Sequence, residues 1–444
     1  MMQYEKYRPS GIEWLGEIPS KWELKRLKDI KANINNAFVD GPFGSNLKTE
    51  HFIDNGDVYV IDSGYITSGT FVFHRDFKTI SLNHFYTVNR SECKEDDIII
   101  AKIGANYGMS AILPKLDKRT LVSGNTLKLT VNRKKYFLKY IHFSFLYLKE
   151  SGQIDILVKG SAQPALSMGL LNDLSFCIPN SLYEQVAIAN YLDIKTSAID
   201  SKIELLTAKT DKFKTLRRSL INETVCHGLN PNATLKDGGV EWIGKIPEHW
   251  KIKRVKDVFK YTTGSTPDTK NESYYDGDKT WICIGDISDN KYISESKMQI
   301  SNQAVNDLGM VKTPKGSLLY SFKLSIGKMA FVEKDVYTNE AILSIFPNKN
   351  ISLHYIYYML PYFLEIAATE NIYGAKMLNQ KLIANAFLAM PNLTEQIAIA
   401  TYLEDKTTQI DTILSNIGKQ INKLTQLRKT LINDVVTGQL KVTE

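Results

Sequence analysis

Six short polar segments carry the side chains best suited to chemistry in this 444-residue chain. Residues 40–48 read DGPFGSNLK and hold Ser45, Asn46 and Lys48; residues 102–108 read KIGANYG and hold Lys102, Asn106 and Tyr107. GSAQ (160–163) ends in Gln163. The second half offers TTGSTPDTKNESYY (262–275), with Thr266, Lys270 and Tyr274, then KLSIG (323–327), with Lys323 and Ser325, and GAK (374–376), ending in Lys376. Glycine lets backbone approach a ligand closely, while Lys, Asn, Gln, Ser and Thr supply the groups that meet phosphates and base edges. The chemistry expected is therefore nucleic-acid binding, with lysines on phosphates. An ordinary surface turn has the same composition, and that reading stays open for each loop.

Catalytic signatures are missing. The chain has no Pro-Pro dipeptide, hence no Asp/Asn-Pro-Pro-Tyr/Phe motif of amino-methyltransferases, and no Phe-x-Gly-x-Gly cofactor loop. Gly-Lys at 244, 327 and 418 is never followed by Ser or Thr, so no P-loop is present. Glu92-Cys93-Lys94 and Glu295-Ser296-Lys297 match half of a nuclease signature, which a charged chain produces by accident. The seven histidines lack metal-site spacing, and His249 beside Trp250 reads as an interface or core residue. No catalytic residue and no metal ligand is assigned.

Composition agrees. Apolar residues at 43% and charged residues at 23% describe a soluble globular protein of two or three domains. A net charge of +7 suits a nucleic-acid partner without requiring one. The start, MMQYEKYRPSGIEW, does not read as a signal peptide, and no apolar run is long enough to span a membrane. Cys93, Cys177, Cys226 and Cys283 are far apart in sequence and suit a reducing compartment, so the expected location is the cytoplasm.

The elements that position these loops are written twice. Residues 11–30 and 239–258 share eleven of twenty positions at an offset of 228, and five more exchange Ile, Leu and Val. EQVAIANYLDIKTSAID (184–200) recurs as EQIAIATYLEDKTTQID (395–411), and LRRSLIN (216–222) as LRKTLIN (427–433), both at 211. Between them the match is weak: DIIIAKIGANYGMSAI (97–112) aligns with GSLLYSFKLSIGKMAF (316–331), and Asn125 with Asn339. The flanks share a job and the middles differ. Strand-like runs (DVYVIDSGYI, DDIIIAK, NTLKLTV; TWICIGDI, GSLLYSF, AILSIF) and helical stretches at 137–151 and 353–367 make each middle a mixed α/β domain.

Two long amphipathic helices follow the middles. Leu192, Ile199, Leu206, Phe213 and Leu220 recur every seven residues, as do Leu403, Ile410, Ile417, Leu424 and Leu431. Ile203 and Leu216, with Leu414, Ile421 and Leu427, thicken the stripes. Such heptads pack helix on helix, antiparallel if the copies are related by a two-fold axis. Ser181/Glu184 and Asn392/Glu395 have capping-box spacing, and Gly228 and Gly438 sit where the helices should stop. Trp14/Pro19/Trp22 and Trp242/Pro247/Trp250 dock the leading segments onto helix ends, contact a partner, or do both.

These motifs together resemble Type I restriction-modification specificity subunits: GIEWLGEIPSKW and GVEWIGKIPEHW, GSTP…YYDG…W…GDI (264–287), the NYLD.KT..ID and TYLEDKTTQID helices, and LR.(S/T)LI. The likeness spans essentially the whole chain. It implies an α/β (mixed α+β) fold with two pseudo-repeated target-recognition domains, each reading one half of a split double-stranded DNA site, separated by two long antiparallel coiled-coil helices. The boundaries expected are 1–180 and 229–391 for the domains, each with its leading segment, and 181–228 and 392–444 for the helices. It further implies two methylation subunits that use S-adenosylmethionine, motor-nuclease subunits that use ATP and Mg, no cofactor on this chain, and different bases for the two domains. Two other readings stay open: a self-sufficient methylase or nuclease, which the missing motifs oppose, and a scaffold that reads no bases, which the diverged middles oppose.

Overall fold

A computed structural model describes residues 3–73, 76–158, 165–240, 243–288, 290–323, 325–370 and 376–442. The chain divides into two compact units: Met1–Thr207 with Lys419–Glu444, and Ala208–Gly418.

In the first unit, five strands pair in the order Glu92–Cys93, Arg119–Val122, Val58–Ile61, Lys78–Ile80, Phe52–Ile53. Four more pair in the order Ser110–Ile112, Ile98–Ala101, Thr126–Leu129, Phe38–Asp40. Ile98–Ala101 is buried along its whole length, which is why its sequence is an unbroken apolar run rather than an alternating one. Helix Leu138–Glu150 buries ten of its thirteen residues. Its Tyr140 hydroxyl donates to the Cys177 carbonyl at 2.6 Å.

The second unit repeats this plan. Five strands pair in the order Tyr261–Thr263, Ile342–Ile345, Leu318–Ser321, Met329–Val332, Tyr292–Ile293, and three in the order Met298–Ile300, Lys279–Ile282, Tyr337–Thr338. Both units have a parallel pairing in the equivalent place, Arg119–Val122 on Val58–Ile61 and Tyr337–Thr338 on Lys279–Ile282, and the second adds a parallel pairing of Tyr292–Ile293 on Met329–Val332. Helix Leu353–Ala367 fills the core, and its Tyr355 hydroxyl donates to the Ala389 carbonyl at 3.0 Å.

Strand register corrects the sequence alignment of the middles. Ala101 pairs with Thr126 in the first unit and Ser321 with Ile342 in the second. Ser123 N–H donates to Ile61 O, and Asn339 N–H to Ile282 O. Asn339 is therefore the counterpart of Ser123, not of Asn125, and Lys102 corresponds to Phe322, not to Ser321.

The two long helices are Leu182–His227, 46 residues, and Leu393–Val436, 44 residues. Each begins in one unit and ends in the other. Within the first unit, Arg428 Nε bonds Asp200 Oδ1 at 2.9 Å, while Ile432, Val435 and Val436 join the core that holds Ile188, Ala189 and Leu192. Within the second, Arg217 Nε bonds Asp411 Oδ1 at 3.0 Å, and Val225 and Cys226 share a core with Ile399, Ala400 and Leu403. In both units the helix segments run antiparallel. Leu192, Leu403, Ile410 and Ile417 are buried; Ile199, Leu206, Phe213, Leu220, Leu424 and Leu431 are half-buried. Leu216 and Leu427, read as thickening the stripes, are instead 52% and 54% exposed. Buried Thr196 and Thr407 take the place beside the seam, each satisfying its hydroxyl on the carbonyl four residues earlier at 2.7 Å.

The repeated Glu-Gln at the helix starts is an anchor more than a cap. Glu184 Oε1 accepts from the Trp22 indole at 3.2 Å and the Tyr4 hydroxyl at 2.7 Å. Glu395 accepts from the Trp250 indole at 3.0 Å and from His249 Nε2 at 2.8 Å. The Asn392 side chain does cap, accepting from Glu395 N–H at 3.0 Å. Buried Gln185 accepts from Phe137 N–H at 2.9 Å and donates to Pro179 O at 2.9 Å; buried Gln396 does the same with Ser352 N–H at 3.0 Å and Pro391 O at 2.9 Å. The leading segment, the core helix and the long helix are thus tied at one point in each unit. Gly228 and Gly438 end the long helices in the left-handed region, at φ 74° and 76°. Trp242 lies outside the described residues.

Candidate nucleic-acid interface

In the first unit the loop after strand Phe38–Asp40 is fixed at its root by backbone contact. A Cβ on Gly41 would lie 2.0 Å from the Ser123 carbonyl oxygen, so only glycine fits. Across the loop, Asn46 and Leu47 N–H donate to the Phe43 carbonyl at 2.8 and 3.2 Å, and His84 Nε2 meets the Asn46 carbonyl at 2.9 Å. Ser45, Asn46 and Lys48 are left exposed, with Lys48 Nζ 3.5 Å from the Glu50 carboxylate. Beside the loop, Asp40 takes the Lys102 ammonium at 3.0 Å on one oxygen and the Arg90 guanidinium at 2.6 Å on the other. An open groove runs past Gly41, Phe43, Lys78, Lys102 and Asn125.

Asn106 and Tyr107 do not join this groove. Asn106 Nδ2 donates to the Ile66 carbonyl at 3.0 Å. The Tyr107 hydroxyl donates to Asp155 at 2.6 Å, and the Lys149 ammonium stands 3.7 Å from its ring centre. That hydrogen bond raises the phenol's pKa and keeps it a neutral donor. Gln163 lies outside the described residues.

The second unit builds the same root with other side chains. A Cβ on Gly264 would lie 1.6 Å from the Thr338 carbonyl oxygen. Trp281 Nε1 donates to Ser265 O at 3.1 Å and the Tyr275 hydroxyl to Pro267 O at 2.8 Å, which gives the GSTP…YY…W pattern a structural cause. Thr266 donates to the Glu340 carboxylate, a bond that holds Glu340 below the usual carboxylate range. Gln380 Nε2 donates to Thr263 Oγ1 at 2.8 Å, and exposed Lys323 shares an opening with Glu340, Gln380 and Lys381. Ser325 is exposed in the turn beyond Lys323.

Thr266 and Lys323 thus meet around Glu340. Tyr274 and Lys376 are engaged elsewhere, the Tyr274 hydroxyl with Asp307 at 3.1 Å and Lys376 with Glu365 at 2.7 Å, whereas Lys270 has an exposed side chain and only its backbone N–H on Asp268 at 3.0 Å. Sequence reasoning did not select Asp40, Arg90, Glu340, Gln380 or Lys381. Asp40 and Glu340 carried a signal, one inside the Gly-rich loop and the other next to Asn339; Gln380 and Lys381 carried none. Among the described residues no three His, Cys, Asp or Glu side chains converge as a metal site.

Each unit therefore presents a glycine-rooted loop beside a charged groove, on one backbone plan with two sets of side chains. The model of the Type I restriction modification DNA specificity domain matches residues 19–212 and 247–423. The chain belongs to the Type I restriction-modification DNA specificity family. It is 30% identical over 183 residues to the Type I restriction enzyme MjaIX specificity subunit of Methanocaldococcus jannaschii, a match covering 40% of this chain and 41% of that one. It is 22% identical over 460 residues to the putative MjaX specificity subunit of the same organism, across 100% and 99% of the two chains. A chain solved in work on complex assembly and conformational transition of the type I R-M system superposes with a TM-score of 0.71 at 15% identity, over 95% of this specificity chain and 99% of its own length. At that identity the likeness is one of fold. Among the described residues of the specificity chain, no helix is long and apolar enough to cross a membrane.

Proposed function

We propose that this chain directs a Type I restriction-modification complex to a bipartite DNA site. Residues 31–178 read one half of the site and residues 259–390 the other, with the long helices spacing them and docking two methylation subunits. The observation that carries this reading is the pair of equivalent loops: a Cβ on Gly41 would meet the Val122 and Ser123 carbonyls and one on Gly264 the carbonyl of Thr338, the counterpart of Val122, while the groove beside one holds Asp40, Arg90 and Lys102 and the other Glu340, Gln380 and Lys323. One frame with two side-chain sets suits two different base sequences, because phosphates are met by any cation while bases are discriminated by donor and acceptor placement. Exposed Ser45, Asn46, Lys48, Lys323 and Ser325 are the nearest candidates for contact. The chain itself is non-catalytic; methyl transfer from S-adenosylmethionine and ATP- and Mg-dependent cleavage belong to the partner methylation and motor-nuclease subunits, in the cytoplasm.

The test is an exchange. Residues 31–178 are replaced by the matching part of a relative, the chain is expressed with its methylation subunits, and methylated adenines are mapped across the genome. One half of the methylated sequence is expected to change while the other stays. Both halves changing together, or methyl transfer by the isolated chain, would overturn the reading.

A further inference from the structure

We propose that Phe43 is an apolar wedge that enters a base step of the half-site read by the first unit, an inference that rests on that unit's loop facing DNA. Phe43 is 71% exposed. A lone exposed phenylalanine is unremarkable in itself; the way this one is presented is not. Its neighbours are Pro42 and Gly44, and the loop is clamped below it, because Gly41 fits against the Ser123 carbonyl only without a Cβ and a Cβ on Gly124 would lie 2.8 Å from the Pro42 carbonyl oxygen. The Phe43 carbonyl accepts both Asn46 and Leu47 N–H, so the turn closes on Phe43 itself. The ring stands on a braced tip, beside the groove that Lys78 and Lys102 line and five residues before exposed Lys48. Duplex-binding proteins use this combination, a rigid apolar side chain flanked by cations: the cations hold the phosphates while the ring unstacks a base step.

The second unit lacks the device. Its equivalent loop carries Ser265, Thr266 and Pro267, with Thr266 bound to Glu340 and the Ser265 and Pro267 carbonyls bound to Trp281 and Tyr275. No aromatic side chain stands on that tip. The wedge therefore acts on one half-site only and favours an easily unstacked step there, a selectivity that needs no hydrogen bond to a base.

The experiment uses the full chain in complex with its methylation subunits and a duplex carrying the mapped site. 2-Aminopurine is placed singly at each purine of either strand except the methylated adenines. Fluorescence is expected to rise at one step of the first half-site with the native chain and with Phe43→Leu, and not with Phe43→Ala. Base–aromatic stacking predicts a loss of affinity of roughly 5- to 150-fold for Phe43→Ala, with the second half-site's signals and the thermal midpoint unchanged. Native affinity and native fluorescence in Phe43→Ala would overturn the wedge. If Lys48→Gln in that case still lowers the log–log salt slope by about one unit, the loop is on DNA and only the wedge fails. If Lys48→Gln and Ser45→Ala/Asn46→Ala are also without effect, the assignment of this loop to the DNA fails with it.

Discussion

His142 lies buried inside helix Leu138–Glu150, with Nε2 3.1 Å from the Ser110 carbonyl oxygen. Burial pushes its pKa down to about 4. An unfolded histidine titrates near ~6.5, so the unfolded chain takes up a proton that the folded one refuses. The stabilisation is complete above that value and is lost progressively as pH falls from it toward 4. Thermal midpoints should therefore decline between about pH 6.5 and pH 5, above the carboxylate range. His142→Gln, which keeps a donor for Ser110 without a titrating ring, should flatten that decline; an unchanged slope would place the proton uptake elsewhere. The sequence marked His142 only as one of seven scattered histidines, because nothing in a run of aromatic and aliphatic neighbours says which groups a helix turns inward. The same limit governs the loops. Composition selected Lys48, Lys102, Thr266 and Lys323, and the structure sets them on or beside the two grooves. Asn106 and Tyr107 have the same composition, yet they brace the loop, since the direction of a side chain is set by the strand register around it. That register is also what separates Lys102 from Lys323: the strands place Phe322, not Lys323, at the Lys102 position.

Among elements, the repeated Arg of LRRSLIN and LRKTLIN finds the repeated Asp of the other copy's helix, Arg217 with Asp411 and Arg428 with Asp200. The two pairs look equivalent and are not. The Arg428 side chain is 13% exposed and also stands 3.5 Å from Glu150, whose Oε2 is buried without a partner and whose pKa burial raises. Arg217 is 35% exposed and faces a half-exposed Asp411. Removing one side of a buried pair strands the other charge at about 3–5 kcal/mol, whereas an exposed pair is worth about 0–1 kcal/mol. Arg428→Ala should therefore lower the unfolding free energy several times more than Arg217→Ala, measured by denaturant titration, and Glu150→Gln should recover part of the Arg428→Ala loss by removing the stranded charge. Equal costs would mean the Glu150 contact contributes nothing. The heptads made both helices legible end to end, but they implied a uniform seam. The seam departs from that at Thr196 and Thr407, where a hydroxyl satisfied within its own helix packs like an apolar residue, and at Leu216 and Leu427, which the stripe assigned inward and the fold leaves outside.

For the molecule as a whole, the decisive geometry is that each long helix contributes to both units while each Arg–Asp pair closes within one. If the helices set the unread gap in the DNA, lengthening them should change the gap and leave both half-sites alone. Extending one helix alone would bring Arg217 and Asp411 out of step with Arg428 and Asp200, since the two pairs sit on the same two helices. The insertion must be made twice, four residues after Lys209 and four after Gly418, positions that lie between the pairs on each helix. Each helix then gains ~6 Å and about 400° of turn, a net ~40°. One added base pair contributes ~3.4 Å and roughly 34° at about 10.5 base pairs per turn. The rotation matches one base pair and the length one to two, so the methylated site should reappear with its gap longer by one or two base pairs and both half-sequences intact, read by mapping methylated adenines in cells expressing the variant. The single insertion after Lys209 serves as the comparison: breaking the match between the pairs, it should lower stability and methylation without yielding a clean new spacing. An active double variant with the original gap would leave the helices as docking elements for the methylation subunits and remove them as the ruler.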